Sequence, residues 1–270
     1  MSLETIRLEF KGAVARVTFN RPEVLNAGDA RWVADLGAAC QELAARSATR
    51  VVVLTGSGRA FSTGVDLRAL ARGEVGLAEF IAWEDAMTAI ERMPQIVIAG
   101  INGHCLGGGL QLALVCDYRI ASEDALIGLP AVKECLIPSM ALYRLPRLIG
   151  AARARELILF GESISAREAE RWGLVNRVVL AADFPRALDE TVERLQALPW
   201  TSLAAAKGLL ARTFELDVDP FRTAMEAGLR QCLASDEHRE AMAAIRRGWP
   251  GGSDSDRRSP AGRAGPPGPG

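Results

Sequence analysis

Apolar and polar residues alternate from Ile6 to Phe19 on either side of Lys11 and Gly12. A period of two sends successive side chains to opposite faces, so two strands are predicted, at 6–10 and 14–19. After an Asn-Arg-Pro loop at 20–22 the period changes. Trp32, Leu36 and Leu43 share one helical face and Asp29 stands where a carboxylate can cap the first turn, which predicts a helix over 29–46. Residues 51–55 and 96–101 are unbroken apolar runs, the second bounded by Pro94 and Gly103, and read as buried strands. A helix over 77–93 lies between them.

The apolar run at 110–116, just after Gly107, predicts a buried helix that leads into short strands at 118–121 and 125–127. Helical patterns dominate from 148 onward, at 151–160, 166–172, 184–198, 202–214 and 221–247, with only 175–179 reading as a strand. The order implies an α/β core over 1–195 and a helical C-terminal region over 196–250. Residues 251–270, rich in Gly, Pro, Ser and charge, are expected to form a disordered tail.

Composition narrows the class of ligand. The chain has 270 residues, 49% of them hydrophobic, enough for one large core. Its 32 basic residues against 33 acidic ones give a net charge of -1, which supplies no footprint for nucleic acid or a membrane surface, so a small molecule is the expected partner. Five cysteines without a CxxC pair point to free thiols in a reducing cytoplasm, and two histidines are too few for a multi-histidine metal site. The first residues read as folded strand, not as a signal peptide.

Two motifs carry candidate chemistry. The segment at 51–66 runs from an apolar strand into Gly56 and Gly58, as a dinucleotide loop would. That fingerprint needs a small residue near position 61, where this chain has Phe61. No GxSxG elbow of an α/β hydrolase is present. What remains is a pair of glycine-containing turns that follow buried strands, at 61–67 (Phe-Ser-Thr-Gly-Val-Asp-Leu) and 102–110 (Asn-Gly-His-Cys-Leu-Gly-Gly-Gly-Leu). Three glycines opening an apolar helix leave N–H groups without partners and no side chains in the way, a receptor for an oxygen that gains negative charge. Read singly, the three glycines are equally an ordinary tight turn.

These two turns, with the segments at 127–150 and 161–179, resemble the enoyl-CoA hydratase/isomerase (crotonase) family, and the likeness runs over 6–249. The resemblance implies a spiral of repeated ββα units, a helical C-terminal region that builds trimers or hexamers, and an acyl-CoA thioester as substrate. No cofactor is implied beyond the coenzyme A that the substrate carries. Matched position by position, Val65 and Gly108 are the family's two oxyanion donors through their main-chain N–H groups. Gly64, Asp66, Leu67 and Arg68 belong to the ligand-contacting turn, although Arg68 also reads as a solvated charge. Two such donors would stabilise an enolate or a tetrahedral oxyanion, one of them contributing about 3 kcal/mol.

The same matching exposes a departure. The family's two glutamates fall on Gln111 and Ala131. Glutamine holds a water or an oxygen but takes no proton at neutral pH, and alanine does neither. Pro138 to Tyr143 replaces a glycine-rich loop, which reshapes the acyl pocket. Candidate substitutes are Glu134, three residues beyond Ala131, then Glu84 and Asp85, with Tyr143 and His104 behind them. Each has an ordinary reading as a surface charge or a packed residue. The expected function is an acyl-CoA enzyme working through an enolate: isomerase, non-standard hydratase, decarboxylase or hydrolase. The alternative is an inactive acyl-CoA-binding or partner-supporting relative.

Overall fold

The structure, a computed structural model, describes residues 3–248. β1 (Ile6–Lys11) and β2 (Val14–Phe19) pair antiparallel with Lys11 opposite Val14, and α1 (Ala30–Ala45) starts where Asp29 accepts the Trp32 N–H at 2.9 Å. Three strand pairs follow. β3 (Val51–Gly56) with β4 (Ala60–Ser62) precedes α2 (Leu67–Ala71) and α3 (Leu77–Arg92). β5 (Ile96–Ile101) with β6 (His104–Leu106) precedes α4 (Gly108–Leu114), and β7 (Tyr118–Ser122) with β8 (Leu126–Gly128) precedes α5 (Ala141–Ile149) and α6 (Ala151–Phe160). β9 (Ser163–Ser165), α7 (Ala166–Arg171), β10 (Arg177–Val179) and α8 (Phe184–Gln196) close the core, and α9 (Trp200–Leu210), α10 (Val218–Ala234) and α11 (Asp236–Gly248) complete the described chain.

Each strand pair sends its first member to one sheet and its second to another. The larger sheet runs β1-β2-β3-β5-β7-β10 and the smaller β4-β6-β8-β9. Every neighbouring pair is parallel except the β1–β2 hairpin and the β8–β9 edge, so the chain winds as a spiral of ββα turns. The unbroken apolar run of β3 has a direct cause. Val52 and Leu54 face the main core, while Val51 and Val53 face a second layer built with Phe184, Leu188 and Val192 of α8.

Several expectations change in detail. The helix expected over 221–247 is two, because Ser235 turns extended (ψ 154) and its hydroxyl caps the next helix by accepting from the His238 N–H at 3.1 Å. The strand expected at 175–179 begins only at Arg177, and α5 forms over 141–149, a stretch for which no element was predicted. The expected tail at 251–270 lies outside the described residues. Among the described residues no helix is long and apolar enough to cross a membrane.

The C-terminal helices are fastened by two charged side chains. Buried Lys207 of α9 donates to Gln95 O at 2.6 Å and to Asp117 Oδ2 at 2.7 Å. Glu237 of α11 accepts the Trp200 and Thr201 N–H groups at 2.9 and 2.7 Å, capping the start of α9. Hydrogen bonds from Thr201, then from Trp200, with Arg50 nearby, hold the Glu237 carboxyl below the ordinary glutamate range. A depressed carboxylate contributes stability above its unfolded value and loses it as pH falls through the folded one. Thermal unfolding of the wild type and Glu237→Gln is therefore expected to converge on acidification. A Tm gap that is constant from neutral to acid pH would contradict this clasp.

Candidate active site

Two turns meet because two short strands pair. β4 and β6 run parallel, with Ala60 opposite His104 and Ser62 opposite Cys105, so the chain segments that leave them lie side by side. Gly107 takes φ 53 and ψ -123, which residues bearing a Cβ avoid, and turns the chain into α4. Its two followers lack side chains for want of space. A Cβ on Gly108 would stand 2.8 Å from the Trp83 ring, and one on Gly109 2.1 Å from Ser62 O. Gly64, at φ 87, faces Gly108 so closely that a Cβ there would stand 2.6 Å from the Gly108 nitrogen.

Val65 is held from the opposite side. The Gly28 N–H donates to Gly64 O at 2.8 Å and the Asp66 N–H donates to Gly28 O at 2.9 Å, forming an isolated parallel bridge. In a parallel ladder the residue between two such bonds points its own N–H away from the partner strand. The Val65 and Gly108 N–H groups have no acceptor among the described residues, and both residues line one cavity of about 490 Å³. Asp66 fixes the turn, its Oδ1 accepting from the Arg68 and Ala69 N–H groups at 3.0 and 3.2 Å. Arg21 braces it, 3.5 Å from Asp66, 2.9 Å from Asp29 and donating to Ala27 O at 2.6 Å.

The same cavity collects most of the side chains singled out by sequence. Asp66, Leu67, Arg68, Gln111, Ala131 and Glu134 all line it, while Gly64 lies behind, against Gly108. Gln111 is only 8% exposed and its Oε1 has no partner. Ala131 and Glu134 stand on a 3₁₀ turn over Pro130–Glu134, where residues three apart eclipse, so both project to the same side. Glu134 is exposed and makes no hydrogen bond or ion pair among the described residues.

The remaining candidates go elsewhere. Glu84 pairs with Arg144 at 2.6 Å, Asp85 is exposed on α3, and Tyr143 lies under Arg147, 3.4 Å from ring to guanidinium, beside a second cavity of about 680 Å³. His104 is half-buried in β6 with Nδ1 unpartnered, and it does not line the first cavity. All five cysteines are free. Burial pushes Cys40 and Cys116 up to about 12 and raises Cys105 as well, so these three thiols stay protonated and are no nucleophiles.

Sequence reasoning missed two contributors. Trp83 of α3 lines the cavity, and its ring packs against both Gly28 and Gly108, the two points that fix the donor-bearing turns. A tryptophan on an apolar helical face reads as core, and nothing in its spacing marks it otherwise. The brace on the Val65 turn was missed as well. Its only signal was the polar pair Arg21 and Asn26 around a proline, and the Asn26 amide donates to Ser57 O and Ala60 O.

A spiral of ββα turns with two unpaired main-chain donors facing one cavity defines a class, and comparison with known proteins agrees. The chain belongs to the enoyl-CoA hydratase/isomerase family, whose model matches residues 9–247. A Rhizobium meliloti protein named probable enoyl-CoA hydratase is 38% identical over 253 residues, covering 91% of this chain and 96% of the relative. A carnitinyl-CoA dehydratase of Salmonella typhi is 34% identical over 240 residues, covering 88% and 92%. The crystal structure of enoyl-CoA hydratase from Bacillus anthracis superposes with a TM-score of 0.85 at 31% identity, over 90% of this chain and 96% of that one. The fold is thus the crotonase fold with its C-terminal helices.

Proposed function

We propose that the chain is an enzyme that binds an acyl-CoA thioester with its carbonyl oxygen between the Val65 and Gly108 N–H groups and works through an enolate. The observation that carries this reading is the pair of unpartnered main-chain donors on one cavity wall. Oxygen that gains charge there receives hydrogen bonds already in place, so no reorganisation accompanies the reaction. Gly64, Asp66, Leu67 and Arg68 form the turn that contacts the coenzyme A portion. No further cofactor enters the chemistry.

Gln111 and Ala131 argue against plain hydration, which needs groups that activate water and move its protons. Glu134, free of other partners and on the side of the turn that Ala131 faces, is the carboxylate placed to carry a single proton. One carrier beside an enolate suits an isomerisation or an elimination. The apolar side chains that α10 leaves exposed, Met225, Leu229 and Leu233, support assembly as a homotrimer or a hexamer. A net charge of -1 and free thiols suit a cytoplasmic setting.

The test is a mass-spectrometric panel of acyl-CoA thioesters with three proteins: wild type, Glu134→Gln, and Gln111→Glu combined with Ala131→Glu. The wild type is expected to convert at least one thioester, and Glu134→Gln to lose that turnover. The double variant is expected to gain hydration of crotonyl-CoA. Tight thioester binding without conversion by the wild type would favour the inactive binding relative, a reading that Gln111 and Ala131 also support.

A further inference from the structure

One residue touches both donor-bearing turns without reaching the cavity. Ser62, the last residue of β4, is fully buried and does not line the cavity wall. Its hydroxyl bridges two main-chain groups, donating to Asn26 O at 2.8 Å and accepting the Gly64 N–H at 3.2 Å. Its own main chain lies against the start of α4, where a Cβ on Gly109 would stand 2.1 Å from Ser62 O and 3.0 Å from Ser62 Cβ. The base on which the hydroxyl rests is fixed as well. The Asn26 side chain accepts the Arg21 N–H at 2.9 Å and donates to Ser57 O and Ala60 O at 3.0 and 2.8 Å.

Resting on the oxyanion reading above, we propose that the Ser62 hydroxyl is a positioning group that aims the Val65 N–H at the substrate oxygen. In the trans peptide between Gly64 and Val65 the C=O and the N–H point in opposite directions. The Gly28 N–H holds that carbonyl at 2.8 Å, so the Val65 N–H faces away from Gly28. Gly64 stands just ahead of the peptide, and a glycine turns more freely about φ and ψ than any other residue. The Ser62 hydroxyl anchors Gly64 on its other side, and the direction of the donor is set by two bonds instead of one. Without the hydroxyl, the Gly64 N–H and Asn26 O are both buried and unsatisfied. Rotation of the Gly64 backbone toward other partners relieves that penalty, and it swings the Val65 N–H off its aim.

Infrared difference spectroscopy of the intact protein with butanoyl-CoA, isotope-labelled at its carbonyl carbon, tests this without requiring turnover. Hydrogen bonds to a carbonyl lower its stretching frequency, so the band of the bound thioester is expected below its position in water. Ser62→Ala is expected to return the band part of the way. On a thioester that the enzyme converts, the same variant is expected to lower kcat about tenfold with little change in KM, a fraction of what loss of a whole donor costs. Ser62→Cys, with a poorer acceptor of similar size, is expected to fall between and decides the question where the alanine variant does not fold. Thr191→Val removes another buried hydroxyl, which donates to Ala187 O at 2.7 Å within α8, and is expected to lower Tm while leaving the band in place. A band unmoved by the Ser62 substitutions, whatever their Tm, or one that moves equally in Thr191→Val, overturns the positioning role and leaves the oxyanion reading standing. A wild-type band at its position in water, or no binding of butanoyl-CoA, overturns both.

Discussion

Gly64→Ala is expected to lower kcat on an acyl-CoA substrate by about 100- to 1000-fold, the loss typical of removing one oxyanion donor. The new methyl would stand 2.6 Å from the Gly108 nitrogen, 3.1 Å from Leu106 O and 3.3 Å from the Gly107 carbonyl carbon. All three are main-chain atoms that cannot swing aside, so the methyl covers the N–H or pushes α4 away from Val65. A residue at φ 87 also carries about 1 kcal/mol of backbone strain, which would show as a Tm lower by a few degrees. Val65→Ala is the informative contrast, since it trims a side chain and keeps the N–H, and its loss is expected to be far smaller. Steady-state kinetics read against Tm separate the two effects. Near wild-type kcat in a folded Gly64→Ala protein would remove Gly108 from the mechanism.

Arg119→Met is expected to cost about 3–5 kcal/mol of stability, measured by urea denaturation. Arg119 is only 5% exposed and spends its guanidinium on backbone: Nε donates to Leu174 O at 2.8 Å, and one terminal nitrogen donates to Ala113 O at 3.2 Å and Cys116 O at 2.6 Å. Burial lowers its pKa, with the neighbouring Cys116 and Asp117 opposing that shift. The carbonyls of Ala113 and Cys116 lie at the end of α4, the helix that Gly108 begins, so the arginine ties the far end of the donor-bearing helix to the β7 strand and to the 174–176 segment. Methionine fills the volume but leaves the Leu174 and Cys116 carbonyls without a donor, while Ala113 O keeps the Cys116 N–H at 3.3 Å. Arg119→Lys is expected to recover only part of the loss, because an ammonium cannot span all three. A change below about 1 kcal/mol would show that water replaces the arginine without penalty.

The sequence was legible where one element decides its own pattern. β3 and β5 were read from unbroken apolar runs, because both faces are buried, and α1 from its spacing and its Asp29 cap. β4, β6 and β9 are three residues each, too short for a period to show, and exist through pairing with strands far away in the chain. The Ser235 break carries a signal, a capping serine followed by Asp236 and Glu237, but helix-forming residues on both sides of it mask it. In the site, the glycine turns were legible because backbone constraints leave glycines behind. The Trp83 contact with Gly28 and Gly108 was not, since it depends on three segments meeting in space. The Arg144 pairing that takes Glu84 out of contention was hidden for the same reason.

The donor at Val65 belongs to the main chain, and this has a consequence for descent. Any residue except proline at that position carries the same N–H, so nearly every point mutation there hands the donor on intact. The proton-moving side chains have no such protection, since one base change can turn a glutamate codon into one for glutamine. A lineage built this way can lose one reaction and acquire another while its grip on the thioester passes unbroken from parent to offspring. Gln111 and Ala131 beside an undisturbed pair of amides are what such an inheritance would leave.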